Sequence, residues 1–250
     1  MKPRTLDLSA YREIAVLTGA GISVGSGLPT YRGAGGLWKA SRVESFATAE
    51  AIHAAPERVW DFFSGVRSKI AAASPNPAHR ALAAAEARLR ATQRLTILTQ
   101  NVDGLHQLAG SKRVVELHGS LRRSRCTRCD YAREEDLASI SSCPPCPACG
   151  APLRPAVVLF DEALPVDAEW EAKKVLRDCD LFLAVGTSGT VSPASNFVRA
   201  AEYAGARTIY VNLEPMQPPN PAFREVVLGR AEELLPELLA VPGSQREVDS

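Results

Sequence analysis

Five short runs rich in Ile, Val and Leu recur along the chain, at 14–17, 95–98, 114–117, 181–185 and 208–211. They are too short for helices, and their near-continuous apolar character predicts parallel strands covered on both faces. Between them lie segments whose apolar residues repeat at the helical period, at 56–73, 77–89, 167–179 and 193–204, three of them opened by a proline at Pro56, Pro77 and Pro193. Strands alternating with helices predict an α/β fold, a Rossmann-like parallel sheet with helices on both faces. In such a sheet the ligand lies beyond the carboxyl ends of the strands.

Two stretches break this alternation. Residues 35–74 form a mostly helical insert, and 120–155 form a proline-rich one that carries most of the cysteines. Both are read as lobes of one small domain, which leaves 1–34, 75–119 and 156–250 for the large one. The polar tail, 243–250, is expected to fray.

The residues just past each strand are as regular as the strands themselves. Thr18-Gly19-Ala20, Thr99-Gln100-Asn101, His118-Gly119, Gly186-Thr187-Ser188 and Asn212-Leu213-Glu214 each trail an apolar run, so one edge of the sheet gathers all five. The first opens a glycine-dense loop whose backbone can approach a ligand closely and whose following helix would aim N–H groups at a phosphate. Gly19 and Gly21 fit the start of the G-x-G-x-x-G dinucleotide fingerprint, but its sixth position is Val24.

Composition narrows the picture. At 250 residues and 46% hydrophobic content the chain is long enough for a full core. A net charge of +1 argues against a generally basic nucleic-acid binder, although Arg122, Arg123, Arg125 and Arg128 form a local basic cluster. With no leader-like apolar run and no membrane-length segment, the expected location is the cytoplasm.

Five of the six cysteines fall between Cys126 and Cys149. In a reducing compartment this crowding points to metal ligation. Cys126-x-x-Cys129 and Cys146-x-x-Cys149 fit the spacing of a four-thiolate zinc site, closed to water and therefore structural. Cys143-x-x-Cys146 offers an alternative second pair, while Gly150 favours the later one by suiting a knuckle turn. Cys179 is expected in the core.

Among the four histidines, His118 ends a strand at the ligand edge, where it reads either as a hydrogen-bonded histidine of a strand-to-loop turn or as a general base near neutral pH. His79 is expected to cap or pack in the turn at Asn76, His106 to pack on a helix after Asp103, and His53 to be exposed. No serine lies in a nucleophile elbow.

Taken together and in order, these segments resemble the sirtuin (Sir2-like) family of NAD-dependent protein-lysine deacylases. The matching residues run from Gly19 to Arg32, from Thr99 to Gly110 and from Leu117 to Ser120, and include the cysteine pairs, Leu153 to Pro155, Gly186 to Ser188 and Val211 to Glu214. The resemblance implies NAD as co-substrate, structural zinc, an acylated protein lysine as substrate, and a cleft between the two domains. By similarity Gly19, Ala20, Gly21, Ser23, Tyr31 and Arg32 form the cofactor loop. Gln100 and Asn101 hold the nicotinamide ribose, and Asp103 the carboxamide pocket. Gly186, Thr187, Ser188, Asn212, Leu213, Glu214 and Ala231 hold the adenosine half. His118, with Asn101 and Gln100 beside it, carries the chemistry: nicotinamide leaves, the acyl oxygen attacks the ribose, and His118 deprotonates a ribose hydroxyl, so that the acyl group ends on ADP-ribose.

Departures from the family pattern sharpen this expectation. Tyr31 stands where phenylalanine is common, and Asp161, in Val158-Leu159-Phe160-Asp161-Glu162, stands where glycine is usual, on a loop that pairs with the substrate peptide. A carboxylate there would favour basic flanks over acidic ones. Segments 31–38 and 59–67 resemble the bacterial-type desuccinylase and demalonylase branch. The positions of its carboxylate-clamping Tyr and Arg are Phe63 and Val66, with Arg67 one residue late. Acetyl or other neutral acyl groups are therefore expected over succinyl. ADP-ribosyl transfer or NAD hydrolysis would use the same cofactor residues without an acyl-lysine tunnel, and a non-enzymatic NAD-sensing or zinc-ribbon interaction module would have no need of His118. Neither a membrane nor a specific nucleic acid is expected as partner.

Overall fold

The computed structural model describes residues 5–30, 47–135, 137, 143–189 and 191–241. Tyr31 and Arg32, the segment 31–38 and the tail 243–250 lie outside the described residues.

All five expected strands form, as β1 (Glu13–Thr18), β2 (Arg94–Thr99), β3 (Val114–Glu116), β7 (Leu181–Val185) and β8 (Arg207–Asn212). A sixth, β9 (Glu225–Leu228), completes a wholly parallel sheet in the order β3-β2-β1-β7-β8-β9. Three further strands, β4 (Gly119–Cys126), β5 (Ala132–Arg133) and β6 (Leu153–Val157), make a separate antiparallel sheet. With that small sheet set aside, the large one has the 3-2-1-4-5-6 order of a dinucleotide-binding fold, whose strand order reverses between β1 and β7.

The helices are α1 (Ala49–Ala54), α2 (Pro56–Ala72), α3 (Pro77–Ala87), α4 (Leu105–Leu108), α5 (Val166–Asp178), α6 (Phe197–Tyr203) and α7 (Ala231–Leu238). Alternate residues of the central strands divide between two cores. Ile14, Val16, Leu95, Ile97, Leu181 and Leu183 pack with Ala78, Leu82 and Ala85 of α3 and with Leu235 and Leu238 of α7. Ala15, Leu17, Leu98, Phe182 and Ala184 face Val175 and Leu176 of α5 and Phe197 and Val198 of α6. Each fully buried Leu or Ile contributes about 1.5–3 kcal/mol of transfer free energy, which explains strands with almost no polar interruption.

A third core joins α1 and α2 to the small sheet. Val59, Phe63, Val66 and Ile70 fall on one stripe of α2 and pack against Leu121, Val157 and Leu159. Trp60, one residue out of that stripe, faces the cysteines with Leu153 and donates its indole N–H to the Leu153 carbonyl. At the start of α3, the Asn76 side chain accepts from the backbone N–H of Ala78 at 2.9 Å while His79 Nδ1 accepts from the Asn76 N–H at 3.3 Å, a capping box that places His79 in the turn. His53 is exposed. Cys179 is buried in the second core, and burial pushes its thiol up to about 12.

The four arginines of the basic cluster are spent internally. Arg122 pairs with Glu135 at 2.9 Å, Arg123 with Glu116 and Glu134, and Arg125 approaches Glu162 at 4.0 Å, while Arg128 donates to the Cys149 carbonyl. Among the described residues no helix is long and apolar enough to cross a membrane.

Candidate active site and metal centre

The parallel ladder runs on past the ends of the strands and fixes the polar tips to one another. Gly19 N donates to Val185 O at 3.0 Å, Gly21 N to Gly186 O at 2.8 Å, Gln100 N to Thr18 O at 2.9 Å and Leu117 N to Thr99 O at 2.9 Å. The glycines here have a different role from the one the sequence suggests. A Cβ on Gly21 would come within 2.7 Å of Gly186 Cα, and one on Gly186, whose φ is +61°, within 2.3 Å of the Ile22 nitrogen. These residues are glycine because two strand tips meet backbone to backbone at the switch point. Gly19, Gly21 and Ile22 spend their N–H groups on protein carbonyls. The next turn, Ala20–Ser26, is a 3-10 helix rather than an α-helix. The N–H groups of Gly19, Gly21 and Ile22 are not available to a ligand, while the loop itself lines the cleft.

A cleft of about 1210 Å³ opens above these tips. That exceeds the roughly 300–1,000 Å³ of a typical small-ligand pocket and suits a molecule of dinucleotide size. Gly19, Ala20, Gly21, Gln100, Asn101, His118, Gly186, Thr187, Ser188, Asn212, Leu213, Glu214 and Ala231 all line it. Ser23 and Asp103 instead line a small recess beside it, together with Ala20 and Asn101. The opposite wall is 157–164, which contains the expected substrate loop 158–162, while sequence reasoning missed Val157, Ala163, Leu164 and Phe62. It also missed Arg230 and Glu232 at the start of α7. Phe62 sits among apolar residues of α2, and only packing shows that it faces the cleft.

His118 sits between the two walls. Its Nδ1 lies 3.1 Å from the Gln100 carbonyl oxygen, which can only accept, so Nδ1 carries the proton and Nε2 keeps its lone pair. Burial lowers the imidazole below the ordinary histidine value, and the Gln100 carbonyl partly offsets this. Neutral His118 is thus a competent base at pH 7. Gln100 is held in turn by its side-chain N–H on Thr187 Oγ1 at 2.9 Å, and the Thr187 carbonyl accepts from the Tyr210 hydroxyl at 2.9 Å.

The recess is floored by a buried network. Ser23 Oγ donates to Asp103 Oδ2 at 2.8 Å and accepts from Asn101 Nδ2 at 3.2 Å, while His79 Nε2 lies 3.5 Å from the same oxygen. Asp103 also accepts from the Leu105 N–H at 2.9 Å, yet burial raises its carboxyl above the usual range despite both hydrogen bonds. Beneath, His106 Nε2 meets Thr18 Oγ1 at 2.9 Å and Thr18 donates to Thr99 at 2.8 Å. Burial holds His79 at about 4 and His106 at about 3, so both rings are neutral scaffolding.

The four cysteines of the expected set, Cys126, Cys129, Cys146 and Cys149, converge with their sulfurs all within 4.8 Å of one another. Cys126 and Cys149 are 3.5 Å apart and Cys129 and Cys146 3.6 Å. A zinc ion with four Zn–S bonds of ~2.3 Å sets neighbouring sulfurs ~3.8 Å apart, so the donor set and spacing fit zinc. Cys143 stands outside the cluster. Its thiol donates to the Leu153 carbonyl at 3.4 Å and burial pushes it up to about 11, which resolves the alternative pairing. Gly150, at φ +73°, makes the knuckle turn by donating to the Cys146 carbonyl at 2.8 Å.

A doubly wound parallel sheet with a polar cleft at its switch point, joined to a small four-cysteine metal module, defines a nucleotide-dependent class of protein. Residues 19–193 match the sequence model of the Sir2 family. The chain belongs to that family. A Pseudomonas aeruginosa protein named NAD-dependent protein deacylase 1 is 43% identical over 248 residues, spanning 94% of this chain and 97% of its own. The Thermococcus kodakarensis protein named NAD-dependent protein deacylase is 43% identical over 241 residues, spanning 93% and 91%. A Sir2 homologue crystallised with NAD superposes with a TM-score of 0.84 at 36% identity, covering 96% of this chain and 94% of that one. A serine-to-alanine mutant of a Sir2 homologue in complex with ADP-ribose gives 0.87 at 37%, covering 93% and 92%.

Proposed function

We propose that this protein removes acyl groups from protein lysines in an NAD-dependent reaction. The observation that carries the reading is the placement of His118: a neutral imidazole, fixed through Nδ1, on the same cleft as the tips of β1, β2, β7 and β8. The volume of the cleft suits NAD, and relatives of this chain carry the matching name. When bound, NAD supplies an activated ribose whose nicotinamide is the leaving group.

The residues then divide the work. Ala20, Gly21, Gly186, Thr187, Ser188, Asn212, Leu213, Glu214 and Ala231 bind the dinucleotide along the strand tips, with Gly19 shaping the turn, and Tyr31 and Arg32 belong to the same loop in sequence. Gln100 and Asn101 orient the ribose, and Asp103 and Ser23 shape the recess for the carboxamide. With NAD and an acyl-lysine bound, His118 Nε2 would take a proton from a ribose hydroxyl, and with nicotinamide released and one water consumed the acyl group would end on ADP-ribose and the lysine amine would be freed. Cys126, Cys129, Cys146 and Cys149 hold zinc as a structural clip with no open position. The chain divides into a large domain of 1–34, 75–119 and 156–250 and a small one of 35–74 and 120–155, a reading supported by the separate core around α2 and the small sheet. The site belongs to a protein of the cytoplasm.

The acyl group is acetyl or another neutral one. Phe62 and Phe63 line the cleft, whereas Arg67 is buried against Trp60, its guanidinium 5.3 Å from the ring centre. Among the described residues, a succinyl carboxylate entering that aromatic wall would lose water without meeting a cation that lines the cleft beside Phe62 and Phe63. Incubation with NAD and a panel of acyl-lysine peptides, reading nicotinamide release and peptide mass together, tests both points. Deacylated peptide with O-acyl-ADP-ribose is expected. Free ADP-ribose or an ADP-ribosylated protein would support hydrolysis or transfer instead, and a succinyl preference would overturn the acyl assignment.

A further inference from the structure

Asp161 occupies the cleft wall in a backbone conformation that favours glycine. Its φ is +68°, and among the described residues only Glu135 is another non-glycine with positive φ. Glycine would sit there unstrained, so what the position gains from aspartate is its carboxylate. A sparsely populated conformation at a functional cleft is a reason to look for a role.

The neighbours on either side of Asp161 are pinned to the rest of the structure. Phe160 N donates to Ala47 O at 2.7 Å, and Phe160 bridges to Thr48. Glu162 accepts from the Leu159 N–H at 2.8 Å and takes both Arg154 nitrogens, at 2.5 and 2.9 Å. The other charges of this wall are therefore committed: Glu162 to Arg154 and, at 4.0 Å, to Arg125, and Glu169 to Lys173 at 2.6 Å. Asp161 is exposed and lines the cleft, and among the described residues its carboxylate has no hydrogen bond or ion pair.

The two walls of the cleft meet at His118, whose carbonyl accepts from the Val158 N–H at 2.9 Å. With the strand tips given to the dinucleotide, the wall 157–164, which carries Asp161 and touches His118, is the face of the cleft left for an acyl-lysine and the residues flanking it. On the deacylase reading above, we propose that Asp161 is a specificity residue that selects acyl-lysines flanked by lysine or arginine and disfavours acidic flanks.

An exposed pair of this kind changes a rate constant by about two- to fivefold. The test measures kcat/KM with NAD for matched acetyl-lysine peptides flanked by arginine, serine or glutamate, using the wild type, Asp161→Asn and Asp161→Gly. Asparagine keeps the tolerance for positive φ and removes the charge. The wild type is expected to prefer arginine over serine flanks by about two- to fivefold, with the preference shrinking as salt is raised, and both variants to flatten it. A flat wild-type profile, or a preference that survives in Asp161→Asn, overturns the proposal while leaving deacylation intact. No turnover of any peptide by the wild type would remove the deacylase reading and this proposal with it.

Discussion

The large sheet and the small cysteine-bearing module solve the problem of holding a shape in opposite ways. Around the sheet, two layers of Leu, Ile, Val and Phe are buried between helices, and the polar tips above them are locked by backbone contacts such as Gly21 on Gly186. The module's local core is Trp60, Leu153, Ala151 and the thiols themselves, too little apolar surface to order a chain of that length. The sheet is stable because of what it excludes from water, whereas the module depends on what it binds. The cleft has one wall anchored to the sheet and another that runs out of the module's last strand, β6, so its shape depends on both.

Metal removal should separate the two regions most sharply. Structural zinc is worth on the order of 10–16 kcal/mol in isolated finger peptides, so a strong chelator, or Cys129→Ser, is expected to unfold 120–155 while the sheet survives. Hydrogen exchange would show amides of β4 to β6 losing protection and those of β1, β2 and β7 keeping it. Uniform loss would contradict the division.

Next in size is His118→Ala, which removes the proposed base without touching either core. Turnover should fall ~10²- to 10⁴-fold with NAD binding retained by calorimetry. In the wild type, kcat/KM should fall as pH drops through a value below the ordinary histidine 6.5, because burial lowers this imidazole and protonation disables it. Full activity in the alanine variant would refute the role.

Gly186→Ala tests whether the tips are fixed by backbone contact. The added carbon, 2.3 Å from the Ile22 nitrogen and at φ +61°, should cost about 1–3 kcal/mol of stability and weaken NAD binding. Thermal melts and titration calorimetry measure both, and an unchanged Tm with unchanged affinity would sink the idea.

A last effect, read against pH rather than by substitution, is the acid response of the sheet-side polar floor. His79 and His106 are held at about 4 and about 3, below the ordinary 6.5. The unfolded chain therefore binds protons that the folded one refuses. Their neutral burial costs nothing in proton binding above about pH 6.5, and stability falls as pH drops below it, by about 1.4 kcal/mol per pH unit for each ring until its folded value is reached. Melting temperature followed from pH 7 to 5 should decline, and His106→Gln should make the decline shallower. Equal slopes would show that the ring is not the proton acceptor.

Much of this was legible in the chain itself. Apolar runs bounded by Gly, Asn and Gln gave away five strands and their ligand edge, since a strand buried on both faces admits little else. Cysteine spacing named the metal ligands, because two short loops must each turn around one ion. Other elements were hidden for identifiable reasons. The last helix, α7, carries Pro236 in its interior, which argues against a helix, and β9 is a short, mostly exposed edge strand. Strand β4, with Arg122, Arg123 and Arg125, reads as a charged loop until Glu116, Glu134, Glu135 and Glu162 come from elsewhere to neutralise it.

By itself, the order of residues determined the α/β alternation, the family, the four thiolates and the identity of the candidate base, because these depend on local periodicity and fixed spacing. Only the tertiary structure decided that Gly19, Gly21 and Gly186 serve each other, that Cys143 stands aside, that Nδ1 of His118 is the protonated nitrogen, and that Asp161 keeps a carboxylate on the open wall. Those properties arise from contacts between segments tens of residues apart, where distance, burial and competition for hydrogen-bond partners are set by packing.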